Sequence, residues 1–358
     1  MAEAVAGEEV YVKLRDFLDA MPAGFPATDS GVEMRILKKL FTPEDAGMVL
    51  SMTRDLESPA AIAQRCGIQE EEAAGRLESM ALRGLIGRET VEGEVRYRAE
   101  QFLVGIYEFQ GRTIDREFSE LIEEYIPYLG LSWASLKTDQ LRVVPVASAV
   151  DVTPAIATYD RIRDLVESRG TMGVCDCICS KQQELLGNSC SYPLERCMVF
   201  SEDIDFYIEN GFPMRKIDLD EALRLLDRSE ELGLVLRPDN AQEIRFVCSC
   251  CSCCCPSLRL LKVFPNPADL LHSNYRSAID LDRCDTCAVC IERCPMDAVV
   301  EGEEFMEINP ARCIGCGVCL SSCPQEAISL VPREDAATPP RDWEETLNRI
   351  AVERGLAR

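Results

Sequence analysis

An internal repeat of cysteines constrains this chain more than any other feature. Cys284, Cys287, Cys290 and Cys294 recur 29 residues later as Cys313, Cys316, Cys319 and Cys323. The flanking residues repeat too: Pro295 as Pro324, Ala298 as Ala327, Val299 as Ile328. Both copies read C-x2-C-x2-C-x3-C-P. The chain holds 20 cysteines in 358 residues, and most of the others also stand in short-spaced groups. Disulfide frameworks belong to small secreted domains in oxidising compartments. Met1 to Val10 is acidic and has neither a basic start nor a long apolar run, so no signal peptide is expected. Metal binding is therefore the better account of the thiols. No stretch approaches the roughly 18–20 apolar residues that span a bilayer. The expected location is the cytoplasm.

The repeated run has the bacterial ferredoxin spacing. The segment from about Asp280 to Val331 closely resembles bacterial dicluster 4Fe–4S ferredoxins. The resemblance implies a ferredoxin-like domain with two 4Fe–4S clusters and a role in moving electrons. In such a domain, three cysteines two residues apart wrap an irregular loop around one cubane. The fourth starts the next short helix and faces the other cluster. The implied ligand sets are Cys284, Cys287, Cys290 and Cys323 for one cluster, and Cys313, Cys316, Cys319 and Cys294 for the other. Gly315 and Gly317 would let backbone N–H groups approach the sulfides, which tunes the potential. Pro295 and Pro324 favour a turn away after the fourth ligand, and Phe305 to Ile308 reads as a hairpin strand. Zinc takes a closed set of four ligands; two full copies of the ferredoxin spacing argue against it here.

Eleven thiols lie upstream without that spacing: Cys175, Cys177, Cys179, Cys190 and Cys197, then Cys248, Cys250, Cys251, Cys253, Cys254 and Cys255. If Thr171–Cys179 is extended, Cys175, Cys177 and Cys179 share one face. The same alternation sends Cys248, Cys250 and Cys254 one way and Cys251, Cys253 and Cys255 the other. Adjacent cysteines serve one metal poorly from a regular strand, and a loop would relax this. One metal site is expected, with room for two. Three readings stay open: a further 4Fe–4S or unusual iron–sulfur cluster, a zinc site, or a reactive dithiol or disulfide. The zinc reading rests on the CxxC spacing of Cys250 with Cys253 and of Cys251 with Cys254. Cys66 reads as an apolar filler and His272, the only histidine, as structural. A Rieske-type centre needs two histidines and is excluded.

The N-terminal region reads as helices at Val10–Met21, Val32–Phe41, Pro43–Met52, Pro59–Cys66 and Gln69–Arg83. Thr42 is a candidate N-cap with Pro43 at the first helical position. Two short strands follow, Leu85–Arg88 and Val95–Arg98, around a turn at Glu92-Gly93-Glu94. From Glu33 to Glu100 this order resembles a winged helix-turn-helix domain, which implies DNA binding. The charge opposes it. Val32 to Glu100 carries 10 Lys/Arg against 13 Asp/Glu, and the would-be recognition helix opens Gln69-Glu70-Glu71-Glu72. Three carboxylates there are repelled by phosphates, though they suit the positive end of a helix dipole. The formal net charge of −24 repels nucleic acid and anionic membranes. It favours redox protein partners with basic docking patches, and solubility alone would also account for it.

The middle region reads as mixed α/β. Helices are expected at Arg112–Tyr128, Tyr159–Ser168 and from Asp218 to about Leu232, with a strand at Leu141–Val146 and a last helix at Trp343–Arg354. The expected architecture is α+β and multidomain. A winged-helix-like domain spans 1–110, a cysteine-rich mixed α/β domain 111–274, a dicluster ferredoxin domain 275–331 and a tail 332–358. The whole chain also looks like larger 4Fe–4S binding proteins of anaerobic bacteria. That likeness rests on Gly24-Phe25-Pro26-Ala27-Thr28-Asp29-Ser30-Gly31, Phe41-Thr42-Pro43-Glu44-Asp45-Ala46 and Cys248-Ser249-Cys250-Cys251-Ser252-Cys253-Cys254-Cys255. The leading expectation is an electron carrier or the electron-transfer subunit of a redox enzyme. The alternatives are a redox-sensing regulator and an oxidoreductase with an active-site cluster in the middle domain. No Gly-rich dinucleotide loop or flavin motif is evident.

Overall fold

The computed structural model describes residues 2–151 and 156–356. Helices Ala2–Asp19, Val32–Leu40, Pro43–Val49, Pro59–Cys66 and Glu70–Leu82 precede a hairpin of β1 (Ile86–Val91) and β2 (Glu94–Ala99). Local chemistry explains the starts and stops. Thr42 Oγ1 accepts from the Asp45 amide at 3.2 Å, and the Asp45 carboxylate accepts from the Thr42 amide at 3.0 Å, a complete capping box. Glu92 and Gly93 both have positive φ, the condition for a two-residue hairpin turn that matches strand twist. These elements bury Leu14, Ile36, Leu37, Ile62 and Leu77 in one core. Helix Arg116–Trp133 joins that core through Phe118, Ile122, Tyr125 and Leu129. Phe25 packs against both Phe102 and Tyr125, with ring centroids 4.8 Å apart in each case.

The middle of the chain forms an antiparallel sheet of five strands: β3 (Met172–Asp176), β4 (Glu195–Phe200), β5 (Met214–Ile217), β6 (Val235–Pro238) and β7 (Phe246–Cys250). Their spatial order is β5-β3-β4-β7-β6. Val174, Met198 and Val247 lie in one cross-strand row. They pack in a shared core with Ala222 and Leu226 of helix Leu219–Glu231. Asp218 caps that helix, accepting from the Glu221 amide at 2.8 Å. The expected strand at Leu141–Val146 makes only isolated bridges, Leu141 to Asp239 and Val143 to Ser273. Its backbone bonds are divided between β6 and the chain near His272, so no single ladder forms. Buried Arg142 fastens it by donating to the carbonyls of Asp239, Ala241 and Tyr159 at 2.6–2.7 Å.

The C-terminal part contains β8 (Tyr275–Ile279), β9 (Val299–Glu301), β10 (Met306–Ile308) and β11 (Ile328–Pro332). β8 pairs antiparallel with β11, and β9 with β10. Short helices Val289–Arg293 and Val318–Ser321 sit between them. The sequence repeat is also a backbone repeat. Thr286, Ala288 and Asp297 have positive φ, and so do their counterparts Gly315, Gly317 and Glu326. Ile314, Val318 and Leu330 share the core of Val146, Val174 and Leu258, so this part packs directly on the five-stranded sheet region. Helix Trp343–Glu353 folds back over the body. Thr346 Oγ1 donates to the Asn240 carbonyl at 2.6 Å, and Glu353 accepts from the amides of Lys137 and Thr138. Among the described residues, no helix is long and apolar enough to cross a membrane.

Candidate metal centres

The cysteines of the repeat surround two separate cavities. Cys284, Cys287, Cys290 and Cys323 line one; Cys294, Cys313, Cys316 and Cys319 line the other. The two-residue spacing curls each loop around its cavity. The short helix that follows carries the last cysteine of each run to the opposite cavity. Backbone amides point at these sulfurs. Ala298 N–H donates to Cys294 Sγ at 3.1 Å and its repeat partner Ala327 N–H to Cys323 Sγ at 3.3 Å. Ser277 N–H reaches Cys313 Sγ at 3.3 Å. Four thiols in each wall, with amide donors beside them, suit an iron–sulfur cluster, whose potential such hydrogen bonds adjust.

The eleven upstream thiols divide into an inner and an outer group. Strand register builds the inner one. Cys175 pairs with Cys197 across β3 and β4, and Cys248 pairs with Arg237 across β7 and β6. One step past the Met198–Val247 pair, Cys197 meets Cys248. The row Cys175, Cys197, Cys248, Arg237 therefore lies on the face opposite Val174, Met198 and Val247, because strand side chains alternate. Neighbouring thiols continue it: Cys179 and Cys197 beside Cys177, and Cys248 and Cys255 beside Cys250. Cys175 adjoins the group and donates to the Cys197 carbonyl at 3.4 Å.

The outer group is Cys190, Cys251, Cys253 and Cys254, whose sulfurs all lie within 4.8 Å of one another. Two sequence expectations need correction here. Strand β3 ends at Asp176, so Cys177 caps helix Ile178–Leu185 and Cys179 sits on that helix. Alternation after Cys250 also fails, because β7 stops there and a turn follows. Cys254 joins Cys251 and Cys253, while Cys255 returns to Cys250.

Two buried guanidinium groups attend these thiols. Arg196 Nη2 stands 3.4 Å from Cys177 Sγ and 3.3 Å from Cys251 Sγ, bridging the two groups. Burial opposes its charge, but the sulfurs of Cys177, Cys251 and Cys197 outweigh burial and raise its pKa. Arg237 is enclosed beside Cys255, Cys250 and Cys248, and its Nε has no hydrogen-bond partner among the described residues. Hydrogen bonds from Cys179 and Cys197 hold the Cys177 thiol well below its ordinary pKa. The Cys254 hydrogen bond, with Arg196 behind it, brings Cys251 down to about 5. Thiolates are the metal-ligating form. The sequence reading missed both arginines; only register and burial set them beside sulfur. Cys66 is half-buried against the N-terminal core, away from either group.

A family model, the 4Fe–4S binding domain, matches residues 306–329, which contain the second cysteine run. No curated protein and no solved structure matches the chain. The match and the sulfur-lined cavities define an iron–sulfur protein. More particularly, both support 4Fe–4S cluster binding.

Proposed function

We propose that this chain is an electron-transfer protein, or the electron-transfer subunit of an anaerobic redox complex, using two 4Fe–4S clusters in a dicluster ferredoxin domain at about residues 275–331. The observation that carries this reading is the crossed lining of the two cavities: three cysteines from one run and the fourth from the other. Clusters of this kind accept and donate single electrons. The chain's own part is to hold them with thiolates, aim the amides of Ala298, Ala327 and Ser277 at sulfur, and keep both cavities against one packed core. Cys287 is exposed, which gives the Cys284 cavity an edge for a partner to approach. The net charge of −24 favours a partner with a basic patch.

A further iron–sulfur cluster in the inner thiol group, within the cysteine-rich domain at about 111–274, belongs to the same proposal. Buried charge needs compensation. An anionic cluster on thiolates would supply it to Arg237. The winged-helix-like reading of the N-terminal region rests on its helices and its hairpin. We give it no DNA-binding role, because the basic residues of the hairpin are engaged. Arg88 pairs with Asp203 at 2.7 Å, and Arg98 pairs with Glu89, Glu100 and Glu344.

The test is spectroscopic, on full-length protein prepared without oxygen. Reduced wild-type protein should show two interacting 4Fe–4S signals. Cys323→Ser should abolish the signal of the Cys284 cavity, and Cys294→Ser that of the other. Absence of any reducible cluster in the wild type would refute the relay. An iron content near eight per chain would remove the inner cluster alone.

A further inference from the structure

We propose that Cys190, Cys251, Cys253 and Cys254 form a separate site for a single thiophilic divalent ion, zinc or ferrous iron, and not a share of an iron–sulfur cluster. The spacing of the four sulfurs matches one ion. Cys190 Sγ lies 3.8 Å from Cys253 Sγ and 4.0 Å from Cys251 Sγ, and Cys253 Sγ lies 3.7 Å from Cys254 Sγ. Four thiolates around one ion at about 2.3 Å occupy the corners of a tetrahedron with edges of about 3.8 Å. A cubane places irons and sulfides between its ligands, so its ligating sulfurs stand much further apart. The same structure provides that comparison. Neither ferredoxin set converges within 4.8 Å as this quartet does. The inner thiols do not close into such a quartet either.

The surroundings fit a closed ion site. Three ligands come from one five-residue turn, and the fourth from the loop after helix Ile178–Leu185. Cys251 and Cys254 are buried with Leu234, flanked by Leu232 and Tyr192, while Cys253 is exposed and leaves a way in. Arg196 donates to Cys251 Sγ and to Ser180 Oγ at 2.6 Å, and the Ser180 hydroxyl in turn reaches Cys190 Sγ at 3.8 Å. Such outer partners orient ligands and offset their negative charge. Disulfides are a poorer account, since all four sulfurs approach one another as a set and none stands at bonding distance. As the ion enters, the four thiols give up their protons to solvent and no electron moves.

Zinc, iron and acid-labile sulfide should be counted in oxygen-free full-length wild type, Cys190→Ser and Cys253→Ser. Each variant is expected to lose one zinc per chain, or one iron with sulfide unchanged; the element lost tells the two ions apart. Loss of iron and sulfide together, in equal number, overturns the proposal, and so does an unchanged metal content. Because Cys253 is exposed, serine there leaves the packing intact. A readout on wild type avoids variants altogether. Four sulfurs at about 2.3 Å with no metal neighbour at the zinc X-ray edge, or one ferrous tetrathiolate site by Mössbauer spectroscopy, supports the site. Absence of both overturns it. The ferredoxin cysteines are untouched in either variant, so this site and the relay are judged separately.

Discussion

The carbonyl of Tyr275 occupies the space where a side chain on Gly315 would begin. Gly315 also has φ of +64°, in the left-handed region. Both facts bear on the loop that holds Cys313 and Cys316. Its repeat counterpart Thr286 tolerates a positive φ with a side chain, so conformation alone does not demand glycine. The close approach to Tyr275 does.

Gly315→Ala should therefore cost about 3 kcal/mol, combining left-handed strain with backbone displacement. It should also reduce iron retention in the Cys313 cavity. Gly187→Ala is the control, since its φ is +91° but nothing lies within 4 Å; it should cost about 1 kcal/mol. Urea midpoints and iron content under anaerobic conditions separate the two. Equal losses would mean that the Tyr275 contact is unimportant.

Arg196 should be needed by both upstream thiol groups at once. Replacing it with methionine removes the donor shared by Cys177, Cys251 and Ser180. Leaving those acceptors buried should cost about 3 kcal/mol. Metal content should fall in the inner and outer groups together, while the ferredoxin signals persist. Loss confined to one group would show that the bridge is not shared.

Glu108 supplies a pH dependence. Burial pushes its carboxyl up to about 7 from an ordinary value of 4.5, against a hydrogen bond from the Gly105 amide. The folded chain thus holds a proton that the unfolded chain releases at lower pH. The stabilisation is complete below about 4.5 and is lost as pH rises through 7, amounting to about 3 kcal/mol. Glu108→Gln lacks this dependence. The stability difference, wild type minus variant, should fall by that amount across the window. A difference that is flat with pH would show that the carboxyl ionises normally.

Asp203 ties the β1–β2 hairpin to the middle of the molecule. It accepts from Arg88 Nη1, the Thr90 amide and Thr90 Oγ1, each at 2.7 Å. Asp203→Ala leaves buried Arg88 with only the Glu78 carboxylate, at 3.4 Å, and should cost roughly 3 kcal/mol. Limited proteolysis should then cut first near Glu92-Gly93. Unaltered resistance would indicate that the hairpin is held by packing alone.

The sequence by itself determined the local chemistry. The 29-residue repeat, the loop-forming spacing of its cysteines and the capping of helices at Thr42 and Asp218 all act over a few residues, so they are readable along the chain. The same holds for the pairing of Cys248 with Cys250 on one strand face. Tertiary structure decided what depends on partners remote in sequence. It set Cys197 against Cys248 and Arg237 on their strand face, because register between strands is fixed by the packing of Val174, Met198 and Val247. It ended β7 at Cys250, and the turn that follows breaks the alternation and sends Cys254 and Cys255 to different groups. Leu141–Val146 has strand-like residues but is shared between two neighbours, which no period in the chain can reveal. Spacing assigned thiols to loops; only the fold, by closing distances between loops, divided eleven upstream sulfurs into two groups.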